Sequence, residues 1–296
     1  MNIDLWALAF TLLPWPERQK AQLWAQLQLG EEPTLVPKAR QQMEELAGRM
    51  ARLHSEARAH GARLLLPSAE GVARLLEPLP YPLALWVRGT LPPELAIAIV
   101  GSRQASAPGK ERTRRWAREL TQAGIGILSG LARGIDGAAH QGALEAGATW
   151  GVMGSGLDHP YPPEHQPLME AMVKAGGGVI TPFPPEALPQ KWHFPRRNLL
   201  LAAWSRGVLV MEGRQRSGSL VTARLALDHG KELWVCPGSP EDPSAEGPNE
   251  LLRQCAARPC RSSGDLLEDL QHDSGLDKGP GIGRIIPNRG YHVDHS

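Results

Sequence analysis

The chain of 296 residues is 42% hydrophobic and 21% charged, with 32 Lys and Arg against 31 Asp and Glu and a formal net charge of +1. That length admits one large domain or two smaller ones, and the composition supports a sizeable core, which sets aside a disordered chain. Cys236, Cys255 and Cys260 form no CxxC pair and no zinc spacing, so the chain reads as a protein of a reducing compartment, the cytoplasm, rather than a disulfide-stapled one.

Residues 1–80 read as a small helical domain. A short helix over 3–12 stops at Pro14; with Asp4 near its start and no basic leader, it is an amphipathic helix rather than a signal peptide. A second helix spans 17–29, with Gly30 beyond its end. A third spans 37–60, where Met43, Leu46, Met50 and Leu53 recur at three- and four-residue steps up to Gly61. Basic and acidic residues balance here, nine against nine, so nothing in this part points to nucleic acid. No apolar run reaches the roughly 20 residues that a membrane span needs.

Residues 81–91 form a Pro-bounded connection with one strand. From there to residue 270 strands and helices alternate. The strands are 95–100, 125–128, 149–153, 179–180, 207–211 and 233–236. Helices are expected over 108–123, 135–146 and 163–175, from the Ser217 turn to His229, and over 263–270. The alternation predicts an α/β fold, a doubly wound and mostly parallel sheet whose ligands bind at the carboxyl ends of the strands. From residue 271 onward the chain loses periodicity and reads as a disordered tail, or as one added in cloning.

The turns rich in Gly and Ser all fall at such strand ends. Gly101-Ser102-Arg103 offers close backbone approach, a hydroxyl and a guanidinium fork for phosphate. Ser129-Gly130 with Arg133-Gly134 precedes a helix N-terminus, where free N–H groups and the helix dipole favour an anion. Asp136 in that helix's first turn reads as a capping carboxylate, and His140 as a packed histidine. Gly154-Ser155-Gly156 closes the third strand, and Ser217-Gly218-Ser219 opens another helix, although Ser219 alone reads as an N-cap. Lys110, Arg112, Arg114, Arg115 and Arg118 read as a solvated helix face.

Charge is unevenly distributed. Residues 191–231 hold eight Lys and Arg against two acids, whereas 232–270 hold three against eight. Within the basic stretch, Lys191-Trp192-His193-Phe194-Pro195-Arg196-Arg197-Asn198 interleaves rings with cations at the end of a Pro-rich loop. Single-stranded nucleic acid needs that combination, with rings for unpaired bases and cations for the backbone. The alternative is that Trp192 and Phe194 pin the loop to the core. There is no GxxxxGK[ST], no dinucleotide fingerprint, no metal-ligand spacing and no paired carboxylates, so the turns are suited to hold phosphates rather than to break bonds, and no cofactor, metal or catalytic residue is assigned.

These pieces, in this order, resemble the DNA-processing protein A family (DprA, also called Smf), bacterial proteins of natural transformation. The matching runs are 98–103, 129–136 (SGLARGID), 154–158 with Tyr161-Pro162, 194–198 (FPRRN), 217–223 (SGSLVTA), 235–238 and 247–252. The resemblance implies an extended Rossmann-like domain preceded by a small helical (SAM-like) one. It further implies single-stranded-DNA binding in a basic pocket, a homodimer, and loading of the RecA recombinase. By position, Gly101, Ser102 and Arg103 would hold phosphates, with Lys191 and Phe194 across the pocket and Arg197 and Asn198 beside them. The chain departs from the family at Thr181-Pro182, where Ser-Glu is usual, and at Leu199, where Arg is frequent. Nothing after Leu270 reads as the winged helix that many members carry. The rival expectation is a nucleotide-processing enzyme of the nucleoside-monophosphate phosphoribohydrolase type, but Pro237-Gly238-Ser239 does not continue into the PGGxGT loop such an enzyme needs.

Overall fold

A computed structural model of the chain describes residues 2–31, 35 and 37–274. Three helices come first, α1 (Ile3–Leu12), α2 (Glu17–Gln28) and α3 (Pro37–Ala59). Asn2 caps α1 by accepting the Leu5 N–H at 3.1 Å. A strand, β1 (Arg63–Leu65), and a single helical turn, α4 (Ala73–Leu76), complete this part of the chain. The reading of residues 1–80 as helical omitted β1. At three residues, immediately after the Gly61 stop, the strand is too short for alternation to show.

The remaining elements are β2 (Leu85–Gly89), β3 (Ala96–Val100), α5 (Ala107–Gln122), β4 (Gly126–Ser129), α6 (Ile135–Leu144) and β5 (Thr149–Val152). They continue with α7 (Gln166–Lys174), β6 (Gly178–Thr181), α8 (His193–Trp204), β7 (Gly207–Val210), α9 (Gly218–Asp228) and β8 (Glu232–Val235). The last are α10 (Glu246–Arg253), β9 (Arg258–Pro259) and α11 (Ser263–Ser274). Among the described residues, nine strands form one sheet in the order β1-β2-β6-β5-β4-β3-β7-β8-β9. The pairs from β6 through β9 are parallel; only β1 with β2 and β2 with β6 are antiparallel. The expected doubly wound, mostly parallel sheet is therefore the observed one. The C-terminal boundary differs. Helix α11 continues to Ser274, so residues 271–274 are helical rather than tail, and residues 275–296 lie outside those described.

Central strands are apolar on both faces because helices cover both. Ile97, Ile99, Ile127 and Leu209 meet Trp116 and Leu120 of α5, Ala139 of α6 and Leu266 of α11. The alternate positions Ala98, Val100, Val208 and Val210 meet Leu200 and Ala203 of α8 and Leu220 and Ala223 of α9. This second core is continuous with Leu8 and Phe10 of α1, so the N-terminal helices pack on the α8 side of the sheet. Trp204 strengthens the junction by donating its indole N–H to the Leu75 carbonyl at 2.7 Å.

Helices α5 and α6 approach closely because Gly142 has no side chain; a Cβ there would overlap the Arg114 carbonyl oxygen. Gly142→Ala should therefore destabilise the fold by about 1–3 kcal/mol, as overpacking does. The gain in intrinsic helix propensity, about 1 kcal/mol, has the opposite sign. Urea unfolding decides between the two, and a variant as stable as the parent would show that the helices can separate without cost.

Candidate functional site

The loops leaving β5, β4, β3 and β7 at their carboxyl ends lie side by side, because those strands are neighbours in the sheet. The β3 loop is held from both flanks. Ser102 donates its N–H to the Glu212 carbonyl at 2.8 Å on the β7 side, and its own carbonyl accepts the Ile135 N–H at 3.2 Å on the β4 side. Gly134 adopts φ +75°, and a Cβ there would overlap the Ser102 carbonyl oxygen, so only glycine lets the two loops meet. Gly101 is similarly confined, with Ile135 Cγ1 2.6 Å from where a Cβ would stand.

Helix α8 supplies the opposite wall. Sequence reasoning treated 191–198 as loop, but the helix starts at His193. Pro195 falls in its first turn, where a missing N–H costs nothing, and the aromatic–cation run hid the helical periodicity. Phe194 packs on Gly154, where a Cβ would stand 2.9 Å from its Cδ1. Its ring lies 5.8 Å from that of Tyr161 and has the Arg103 guanidinium carbon 5.2 Å from its centroid. This brings an exposed cation and a half-buried ring together from two distant segments. Tyr161, 44% exposed, extends the aromatic surface.

One turn further along α8, Arg197 is buried and lies against Gly130; a Cβ on Gly130 would overlap its Nη1. Its partner is Asp136, at 3.7 Å. Burial raises the Asp136 carboxyl above its ordinary value, while Arg197 and the Ala132 and Gly130 N–H groups pull it back. Burial likewise lowers Arg197. Nε and Nη1 of Arg197 have no hydrogen-bond partner among the described residues. Asp136, expected as a capping carboxylate, is instead the counter-ion of a buried cation: no side chain caps α6, and its carboxylate accepts the Ala132 N–H of the preceding loop at 3.3 Å. Asn198 donates to the Gly218 carbonyl at 3.4 Å, linking α8 to the start of α9. There Ser217 forms no side-chain cap; its hydroxyl lies 2.8 Å from that of Ser219.

Some expected site residues sit elsewhere. Ser129 is fully buried and donates its hydroxyl to the Ile99 carbonyl at 2.6 Å, so it ties β4 to β3 and is unavailable to a ligand. Ser155, also buried, donates to the His159 carbonyl at 2.7 Å and shapes its own loop. Arg133 points outward and is paired with Glu164. Lys191 is exposed ahead of α8, next to Trp192 at 54% exposure. At the N-terminus of α6, expected to be open to an anion, two N–H groups are already taken: that of Ile135 by the Ser102 carbonyl, and that of Gly137 by the Ala132 carbonyl at 3.1 Å. His140 is packed as expected, with Nδ1 2.8 Å from the Thr149 hydroxyl, and burial lowers it to about 3. Sequence reasoning gave no role to Glu212, whose only signal is a carboxylate directly after an apolar strand.

Fold and site together define a doubly wound α/β protein whose strand-end loops face a cationic, aromatic helix start. The family model described as DNA recombination-mediator protein A matches residues 69–271, and the chain belongs to that family. Protein Smf of Escherichia coli is 41% identical over 201 residues, 67% of this chain and 54% of that protein. DNA processing protein DprA of Bacillus subtilis is 43% identical over 175 residues, 59% of this chain and 58% of that one. The chain thus spans little more than half the length of these relatives. Among solved structures, DNA processing protein A of Streptococcus pneumoniae superposes with a TM-score of 0.73 at 29% identity, covering 91% of this chain and 98% of that one. That of Helicobacter pylori, described for its single-stranded DNA binding mode, gives 0.64 at 28% identity over 72% and 96%.

Proposed function

We propose that the protein binds single-stranded DNA along the strand-end loops and presents it to the RecA recombinase during natural transformation, acting in the cytoplasm as a homodimer and without catalysis. The carrying observation is the Arg103–Phe194 pair, a cation over a ring at the carboxyl ends of the strands. Arg103 and Lys191 would meet phosphates, Phe194 would stack on a base, Gly101 and Gly134 would hold the Ser102–Arg103 turn in place, and the open backbone at Gly218 would permit close approach. Arg197, packed on Gly130 and paired with Asp136, would form the floor behind the strand. In this reading residues 1–80 form a unit that buttresses α8, and 81–270 carry the DNA surface. The single-strand binding described for the Helicobacter relative supports the proposal. The nucleotide-processing alternative is not favoured, because the turn Pro237-Gly238-Ser239 does not continue into the PGGxGT loop that such an enzyme needs.

The test is fluorescence anisotropy with labelled oligo-dT and its duplex across a salt series. Affinity for the single strand should fall steeply with salt through counterion release. Arg103→Ala should weaken binding and reduce the log–log salt slope by about 0.7, the loss of one contact to a single strand. A variant that binds as tightly as the parent, or a duplex bound equally well, would remove the assignment.

A further inference from the structure

Strand order reverses direction between β3 and β7: β4, β5 and β6 follow on one side of β3, and β7, β8 and β9 on the other. In doubly wound sheets the crevice at this reversal is where a nucleotide places its phosphates, against the N-terminus of the first helix. The helix here is α5, sixteen residues long with Ser106 as its N-cap. Its terminus is occupied by the protein itself.

Glu212, two residues beyond β7 and 6% exposed, turns its carboxylate onto that terminus. One oxygen accepts the Ser106 N–H at 3.0 Å and the other the Ser106 hydroxyl at 2.5 Å. Ser106 in turn caps the Gly109 N–H at 2.9 Å. The absence of a side chain on Gly109 makes room, since a Cβ there would overlap Glu212 Oε1. The Glu212 carbonyl simultaneously holds Ser102 N–H, so one residue fills the crevice and fixes the loop bearing Arg103.

We propose that Glu212 is a specificity-determining residue. Its carboxylate stands where a nucleotide phosphate would otherwise bind, so the crevice rejects mononucleotides and small phosphates. Only the outer edge of the β3 turn, Ser102 and Arg103, is left for a ligand, and an extended polynucleotide backbone can use an edge that a mononucleotide cannot. The inference rests on the single-strand reading and refines it. It also explains why a sheet of this topology, with Gly-rich turns at its strand ends, need not be a nucleotide enzyme.

Glu212→Gln keeps the shape and an acceptor for Ser106 while removing the charge; Glu212→Ala also opens the space. Isothermal titration of inorganic phosphate and of dTMP into the parent and both variants reads the effect, with oligo-dT binding measured in the same buffer. The parent should take up neither small ligand, and Glu212→Gln, whose neutral amide no longer repels an anion and is held less strongly by the Ser106 N–H that the anion would take, should gain affinity by about tenfold or more. A folded Glu212→Ala should gain at least as much; if it does not fold, the Gln variant alone decides. Equal uptake by parent and Gln variant, or none by either, overturns the proposal. Failure of the parent to bind oligo-dT while the Gln variant gains phosphate would instead overturn the single-strand reading and leave the blocked crevice standing.

Discussion

Arg197→Met should lower the free energy of unfolding by roughly 3–5 kcal/mol at neutral pH, the cost of leaving one member of a buried ion pair without the other. Met fills comparable volume, so the loss is electrostatic rather than a cavity. Both partners are buried, with side chains 5% and 7% exposed, and their 3.7 Å separation is too long for a hydrogen bond. The attraction therefore acts without a bond that would offset the desolvation of two charges. The directions of the two shifts agree: burial raises Asp136 and lowers Arg197, so desolvation outweighs attraction for each. Replacing the pair should accordingly cost less than breaking it. The double variant Arg197→Met/Asp136→Asn should recover most of the loss, since Asn can still accept the Ala132 N–H.

The same pair sets a pH signature. In the folded parent the Asp136 carboxyl lies above its ordinary value of 3.8, so its stability contribution is complete below that value and declines as pH rises through the folded value. Removing Arg197 removes an influence that lowers this carboxyl, raising it further. The variant then binds its proton at a higher pH than the parent, and its stability climbs more steeply on acidification. The gap between Arg197→Met and the parent should narrow from neutral pH toward about pH 4, and urea unfolding at several pH values checks it. A gap under about 1 kcal/mol at neutral pH would show that Asp136 and Arg197 do not depend on one another.

The sheet was readable because its central strands, such as Ile97 to Val100 and Ile127 to Leu128, are unbroken apolar runs closed by Gly-rich turns. Two signals were hidden. Helix α8 begins with Phe-Pro amid cations, which resembles an extended binding loop until the first-turn tolerance for proline is applied. Serine was ambiguous for another reason: Ser102, Ser129 and Ser155 all lie at or just beyond strand ends, yet Ser129 and Ser155 give their hydroxyl protons to backbone carbonyls, whereas Ser102 only accepts the Gln104 N–H. Sequence gives a residue's type and its register but not which neighbour claims its hydrogen bond. Glu212 was hidden by the same limit, because what makes it informative is Gly109, more than a hundred positions earlier.

Phe194→Leu should weaken oligo-dT binding by roughly 1–3 kcal/mol, about five- to 150-fold, the usual value of stacking one base on an aromatic side chain. Leu retains the apolar packing on Gly154 and Tyr161 but has no flat face, so a loss isolates stacking from folding. Phe194→Tyr should bind nearly as well as the parent. The ring also orients Arg103 at 5.2 Å, so the two residues should not be independent. In a double-mutant cycle with Arg103→Ala the losses should fall short of additive by about 0.5–1 kcal/mol, the magnitude of an accessible cation–π contact. If Phe194→Leu binds oligo-dT like the parent, the ring only pins α8 to the β5 loop. If the two losses add fully, Arg103 meets its phosphate without help from the ring, and the site holds two separate contacts rather than one station for a nucleotide's base and backbone together.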